Sequence, residues 1–116
     1  MLEKIGIGID IVDIVRFKEK PFETNESFYK KIFHDSEIKY CLEHANSSQS
    51  FAAKFAIKES VIKSLNRQIT FLNILTEHVD SKPSVTLIND NSYNFLVSVS
   101  HEKLYAVAVV ISEKHT

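Results

Sequence analysis

The 116-residue chain contains only two glycines, Gly6 and Gly8, and both lie in the run Ile5-Gly-Ile-Gly-Ile-Asp-Ile11. Alternation of this kind predicts a β-strand over residues 4–12, because successive side chains of a strand point to opposite faces. One face carries Ile5, Ile7, Ile9 and Ile11; the other is bare at Gly6 and Gly8 and then presents the carboxylate of Asp10. The isoleucine face is expected to join the core. Glycine weakens a strand, so two on one face mark a close approach by another backbone or a ligand. As a phosphate loop the G-x-G spelling is poor: no third glycine follows, and the pair lies within the strand instead of at its end. A dinucleotide-binding fold is therefore discounted.

The second constraint is the stretch from Phe51 to Leu65, which has no Gly or Pro and is rich in Ala, Lys and Ile. It predicts a helix, with Ser47, Ser48 and Ser50 as possible N-caps. At about 100° per residue, Phe51, Phe55 and Ile62 share one face, and Ala53, Ile57 and Val61 lie opposite. Apolar groups on nearly every side indicate burial from several directions. Glu59 falls beside the Phe55/Ile62 stripe, and Lys63 follows one turn later. A buried carboxylate there needs a partner, a hydrogen bond or a metal. The plainer alternative is a surface Glu59–Lys63 pair worth only tenths of a kcal/mol.

Around these two elements the chain reads as helices followed by a β-meander. Residues 13–20 suggest a short helix capped by Asp13, with Arg16, Lys18 and Lys20 forming a small basic surface that ends at Pro21. Residues 25–33, capped by Asn25, and residues 35–44, capped by Asp35 or Ser36, read as helices. Residues 69–79 are β-rich, and strands are expected at 84–88, 95–100 and 105–111, with turns at 80–83 and 89–92. The order gives one α+β domain over residues 1–116, with helices packed on a largely antiparallel sheet.

Composition removes other classes. A formal charge of −1 gives no global attraction to nucleic acid or membrane. No run approaches the roughly 20 apolar residues that span a bilayer, and the N-terminal run, with Glu3 and Asp10, lacks a signal-peptide pattern. A single cysteine, Cys41, excludes an intrachain disulfide and suits a reducing cytoplasm. Cys41 reads as a small core residue, and His34, His44, His78 and His115 as scattered surface or structural groups.

Three pieces invite assembly: Asp10 with Arg16, Lys54-Phe-Ala-Ile-Lys-Glu59 with Lys63, and Ser98-Val-Ser-His101 before the last strand. Two carboxylates, from a strand and a helix, could hold one Mg²⁺ together with waters and phosphate oxygens. Lys54, Lys63 and His101 could ground further phosphate oxygens. Taken in order, Gly8-Ile-Asp10 with Arg16, the Lys54–Lys63 helix, Ser81-Lys82-Pro83 and Ser98-Val-Ser100-His101 resemble the holo-[acyl-carrier-protein] synthases, the small type of 4′-phosphopantetheinyl transferase. The resemblance runs the length of the chain. Each motif alone is weak; the ordered set is specific.

The resemblance implies transfer of the phosphopantetheine arm of coenzyme A to a serine of an apo carrier protein. It implies Mg²⁺ on Asp10 and Glu59, with Glu59 as candidate base, and Asp10, Glu59 and Lys63 as the catalytic set. Lys63 would contact phosphate, and Lys54, Ser100 and His101 would belong to the coenzyme A site. Arg16, Lys18 and Lys20 would meet the acidic helix of the carrier. Family members are typically trimers with active sites between subunits. The chain departs from the family pattern in three places. No Gly-rich turn follows Leu65, Lys54 stands where Arg is usual, and Ser81 replaces a glycine. These departures keep open a catalytically weak relative that mainly binds carrier protein or coenzyme A.

Overall fold

The computed structural model describes residues 2–115. Strand β1 (Ile5–Asp13) is followed by four helices: α1 (Val15–Lys18), α2 (Glu26–Lys30), α3 (Asp35–Leu42) and the long α4 (Ser47–Leu65). The rest is β: β2 (Ile74–Val79), β3 (Lys82–Leu87), β4 (Tyr93–His101) and β5 (Tyr105–Lys114). Every pairing is antiparallel, but the sheet is in two parts, a three-stranded β1-β5-β4 and a β2-β3 hairpin. The α+β class stands as expected. β2 starts later than the β-rich composition suggests, because Phe71–Asn73 close a 3₁₀ turn first.

One expectation is reversed. The isoleucines of β1 do not face the core: Ile7, Ile9 and Ile11 are 68%, 60% and 62% exposed. The bare face turns inward, against α4. A Cβ at Gly8 would lie 1.9 Å from the carbonyl oxygen of Ser60, and one at Gly6 would lie 1.8 Å from that of Ser64. No other residue leaves the helix backbone room to sit there. Two hydroxyls fasten the contact from the helix and the neighbouring strand. Ser60 Oγ donates to Ala108 O at 3.0 Å, and Ser112 Oγ donates to Ser64 O at 3.2 Å. The glycines thus mark approach by a backbone, one of the two alternatives the sequence allowed.

Helix α4 is capped differently from the serine reading. Asn46 is the N-cap, its Oδ1 accepting from Gln49 N at 3.1 Å. At the far end Asn66 takes a left-handed conformation, φ 52°, and its N–H reaches Ile62 O at 3.2 Å. Asparagine is the usual substitute for glycine at this position, so the helix stops cleanly without the expected glycine. The N-terminal half of α4 rests on an aromatic cluster in which Phe51 lies 4.6 Å from Tyr29 and 5.2 Å from Phe33, ring centre to ring centre. Cys41 is fully buried and its thiol is pushed up to about 12 by that burial, so it is an inert core group.

Candidate active site

The seating of α4 on β1 decides what Asp10 meets. Lys63 reaches across and donates to Ile9 O at 3.0 Å and to Asp10 Oδ1 at 3.1 Å. The Asp10 side chain is only 17% exposed there. Lys63 is therefore paired with Asp10, and among the described residues no ion pair joins it to Glu59, so the plain surface-pair reading of Glu59 fails. Glu59 is half-buried one turn earlier on the same helix. Burial, and then the Asp10 charge, push its carboxyl above the usual range, while Lys63 and Arg16 oppose the shift. Two neighbouring carboxylates flanked by cations form an oxygen-donor pair with charge to share, which suits a hard divalent cation. Among the described residues no group of three or more His, Cys, Asp or Glu could hold a metal. A metal at Asp10 and Glu59 would thus complete its shell with water and ligand oxygens.

Lys54 and His101 meet elsewhere, in a cavity of about 420 Å³ that also admits Tyr40, His44 and His78. Lys54 is almost fully buried, with its ammonium 2.9 Å from Thr76 Oγ1 and 4.6 Å above the Tyr40 ring. Tyr40 stacks on His78 at 4.5 Å and leans on His44 at 4.3 Å. Ser100 does not line that cavity; it lines a shallow groove with Ile11, His101, Tyr105 and Val107, and His101 borders both. The basic trio is exposed, but it is not one helical stripe, since α1 ends at Lys18. The Arg16 guanidinium lies 5.0 Å over Phe55, Lys20 lies 4.8 Å over Phe28, and Lys18 borders a separate cleft with Phe17 and Pro21.

Residues 6–110 match the family model described as the 4′-phosphopantetheinyl transferase superfamily. The chain belongs to the 4′-phosphopantetheinyl transferase superfamily. Within it, a holo-[acyl-carrier-protein] synthase of Thermodesulfovibrio yellowstonii is 42% identical over 109 residues, 91% of this chain and 96% of the relative. The crystal structure of Helicobacter pylori holo-[acyl-carrier-protein] synthase in complex with coenzyme A is similar at TM-score 0.81 and 32% identity, covering 92% of this chain and 99% of that one. A Bacillus anthracis synthase structure, in complex with CoA (3′,5′-ADP), gives TM-score 0.79 and 27% identity over 94% and 96% of the two chains.

Sequence reasoning on this transferase-family chain missed the cavity wall. His44 and His78 are scattered in sequence, yet with His101 they surround one cavity. They come together because the end of α3 packs beside β2, which no local spacing announces. Glu37 was missed as well. Its side chain is fully buried, although its place three residues after His34 is the capping-box position, and its Oε1 accepts from His34 N at 2.7 Å.

The electrostatic link between the two acids is directly measurable. Asp10→Asn removes one cause of the raised Glu59 carboxyl, so the Glu59 titration midpoint should fall toward the ordinary carboxylate value in ¹³C NMR of the side-chain carboxyl. An unmoved midpoint would contradict the coupling.

Proposed function

We propose that this chain, as one domain over residues 1–116, transfers the 4′-phosphopantetheine group of coenzyme A to a serine of an apo acyl carrier protein and releases adenosine 3′,5′-bisphosphate. The observation that carries the reading is the pairing, across the β1–α4 contact, of Asp10 with Lys63 beside a Glu59 whose carboxyl is raised. Asp10 and Glu59 fit Mg²⁺. When bound, the ion supplies charge neutralisation on the diphosphate as its P–O–P bridge breaks. Lys63 holds the Asp10 carboxylate in place and offers its ammonium to the same phosphates. Glu59, directly or through a water, takes the proton of the serine hydroxyl. The serine oxygen then bonds to the β-phosphorus, and the bond from that phosphorus to the bridging oxygen breaks, leaving with the adenosine bisphosphate.

Lys54 and His101 take the nucleotide end of coenzyme A, in the cavity they share. Arg16, Lys18 and Lys20 receive the acidic helix of the carrier, with Arg16 also adding positive field at Glu59. The second substrate is thus a protein and not nucleic acid or membrane. No helix among the described residues is long and apolar enough to cross a membrane, and the cytoplasm is the compartment we assign.

The partner of the outward β1 face is a second copy of the chain, in a homotrimer. Ile7 pairs with Ile111, which pairs in turn with Leu96, and Ile9 pairs with Val109, so the apolar surface runs across all three strands. A patch of this kind is expected to be covered. Ser100 lies on this side of the sheet with Ile11 and Val107, where a neighbouring subunit would bring it to a site.

The competing reading, a weak relative that only binds carrier or coenzyme A, rested on the missing glycines after Leu65. Asn66 adopts the left-handed conformation that a glycine would supply, which answers the loop-geometry part of that reading and leaves the affinity for coenzyme A to experiment. The purified protein with Mg²⁺ and coenzyme A should add the phosphopantetheine mass to an apo carrier protein. Glu59→Gln should slow that addition by about 100-fold or more. Binding of several apo carriers with no mass gain by any would favour the weak relative. For the assembly, Ile9→Asp should turn a trimer into monomers in light scattering; a wild-type monomer would contradict it.

A further inference from the structure

The proposed reaction leaves a chain of buried polar groups without a task. Lys58 and Glu37 are both fully buried, their charged atoms 2.8 Å apart. Lys58 also donates to Ile32 O at 2.8 Å and to Phe71 O at 3.2 Å, so its three N–H groups are all used. The other oxygen of Glu37, Oε2, accepts from Thr76 N at 2.8 Å and from Thr76 Oγ1 at 2.6 Å. That second bond fixes the direction of the Thr76 hydroxyl. With its proton committed to Glu37, the hydroxyl can only accept, and what it accepts is the Lys54 ammonium at 2.9 Å. Thr76 O takes a longer bond from the same ammonium, 3.4 Å. The third Lys54 proton has no hydrogen-bond partner among the described residues, and Lys54 lines the cavity.

We propose that Thr76, its hydroxyl aligned by Glu37, is a positioning residue that holds the Lys54 ammonium at the cavity wall for a phosphate of coenzyme A. This rests on the reading that Lys54 belongs to the coenzyme A site. A lysine is a point charge on a flexible stem, and here two oxygens of one threonine replace the rigidity that an arginine fork would bring. Burial lowers the Lys54 pKa, and Glu37 and Glu77 oppose that shift. Cys41 also faces it, but its thiol is neutral at ordinary pH. The carboxylate at the end of the relay therefore helps keep the ammonium charged as well as placed.

The test is a double-mutant cycle read by calorimetric binding of coenzyme A. Thr76→Val should weaken binding by about tenfold, the size of one hydrogen bond to a charged group. Thr76→Ser, which keeps the hydroxyl, should bind like the wild type. In a Lys54→Met background Thr76→Val should cost nothing further. Carrier-protein affinity should stay unchanged throughout, and if Thr76→Val does not fold, Thr76→Ala serves in its place. Equal losses from Thr76→Val with and without Lys54 would overturn the relay, as would wild-type binding by Thr76→Val alongside weak binding by Lys54→Met. Unchanged affinity in Lys54→Met would instead overturn the placement of Lys54 in the coenzyme A site.

Discussion

Helix α4 lies against β1 at a distance that only glycine permits. The carbonyl oxygens of Ser60 and Ser64 occupy the space where β-carbons of residues 8 and 6 would stand. The acid site and the outward face of β1 both depend on that contact. It sets the depth of α4 on the sheet, and depth decides whether Lys63 can span from the helix to Asp10 on the strand. It also decides which face of β1 is left outside. Glycine costs about 1 kcal/mol in regular structure relative to alanine, so two in one strand are tolerated for the close approach they allow.

Seated in this way, α4 carries three polar edges with three duties. Ser60 and Ser64 face the sheet and tie to β5 through Ala108 and Ser112. Glu59 and Lys63 face the acid site. Lys54 and Lys58 are buried and meet Thr76 and Glu37. A buried ion pair such as Lys58–Glu37 contributes little net stability when compared with apolar residues of the same size. Breaking it leaves a charge without a partner, a loss of about 3–5 kcal/mol. Its effect is to fix the mutual placement of α3, α4 and β2, and so of the cavity between them.

Much of this was legible in the chain. Alternation and helical spacing located β1 and α4, and the ordered motifs singled out Asp10, Glu59, Lys63, Lys54 and His101. What failed was the direction of β1. A strand with isoleucine on one face and glycine on the other suggests an isoleucine core, since apolar side chains seek burial. The rule fails here because the helix needs backbone contact on the inner face, which leaves the isoleucines outside a single copy of the chain. The cavity wall was illegible for a different reason. Tyr40 and His78 stack across 38 positions of sequence (78 − 40), and long-range packing leaves no periodic trace. The missing glycines after Leu65 put the loop geometry in doubt, yet Asn66 takes a left-handed conformation that few residues besides glycine adopt.

The central claim is that the β1–α4 contact admits no β-carbon. Urea denaturation of Gly8→Ala measures it most directly. A methyl group placed 1.9 Å from the Ser60 carbonyl oxygen has to push the helix away, and the account predicts a loss of about 3 kcal/mol or more, a large fraction of a small domain's stability. A variant as stable as the wild type would contradict it.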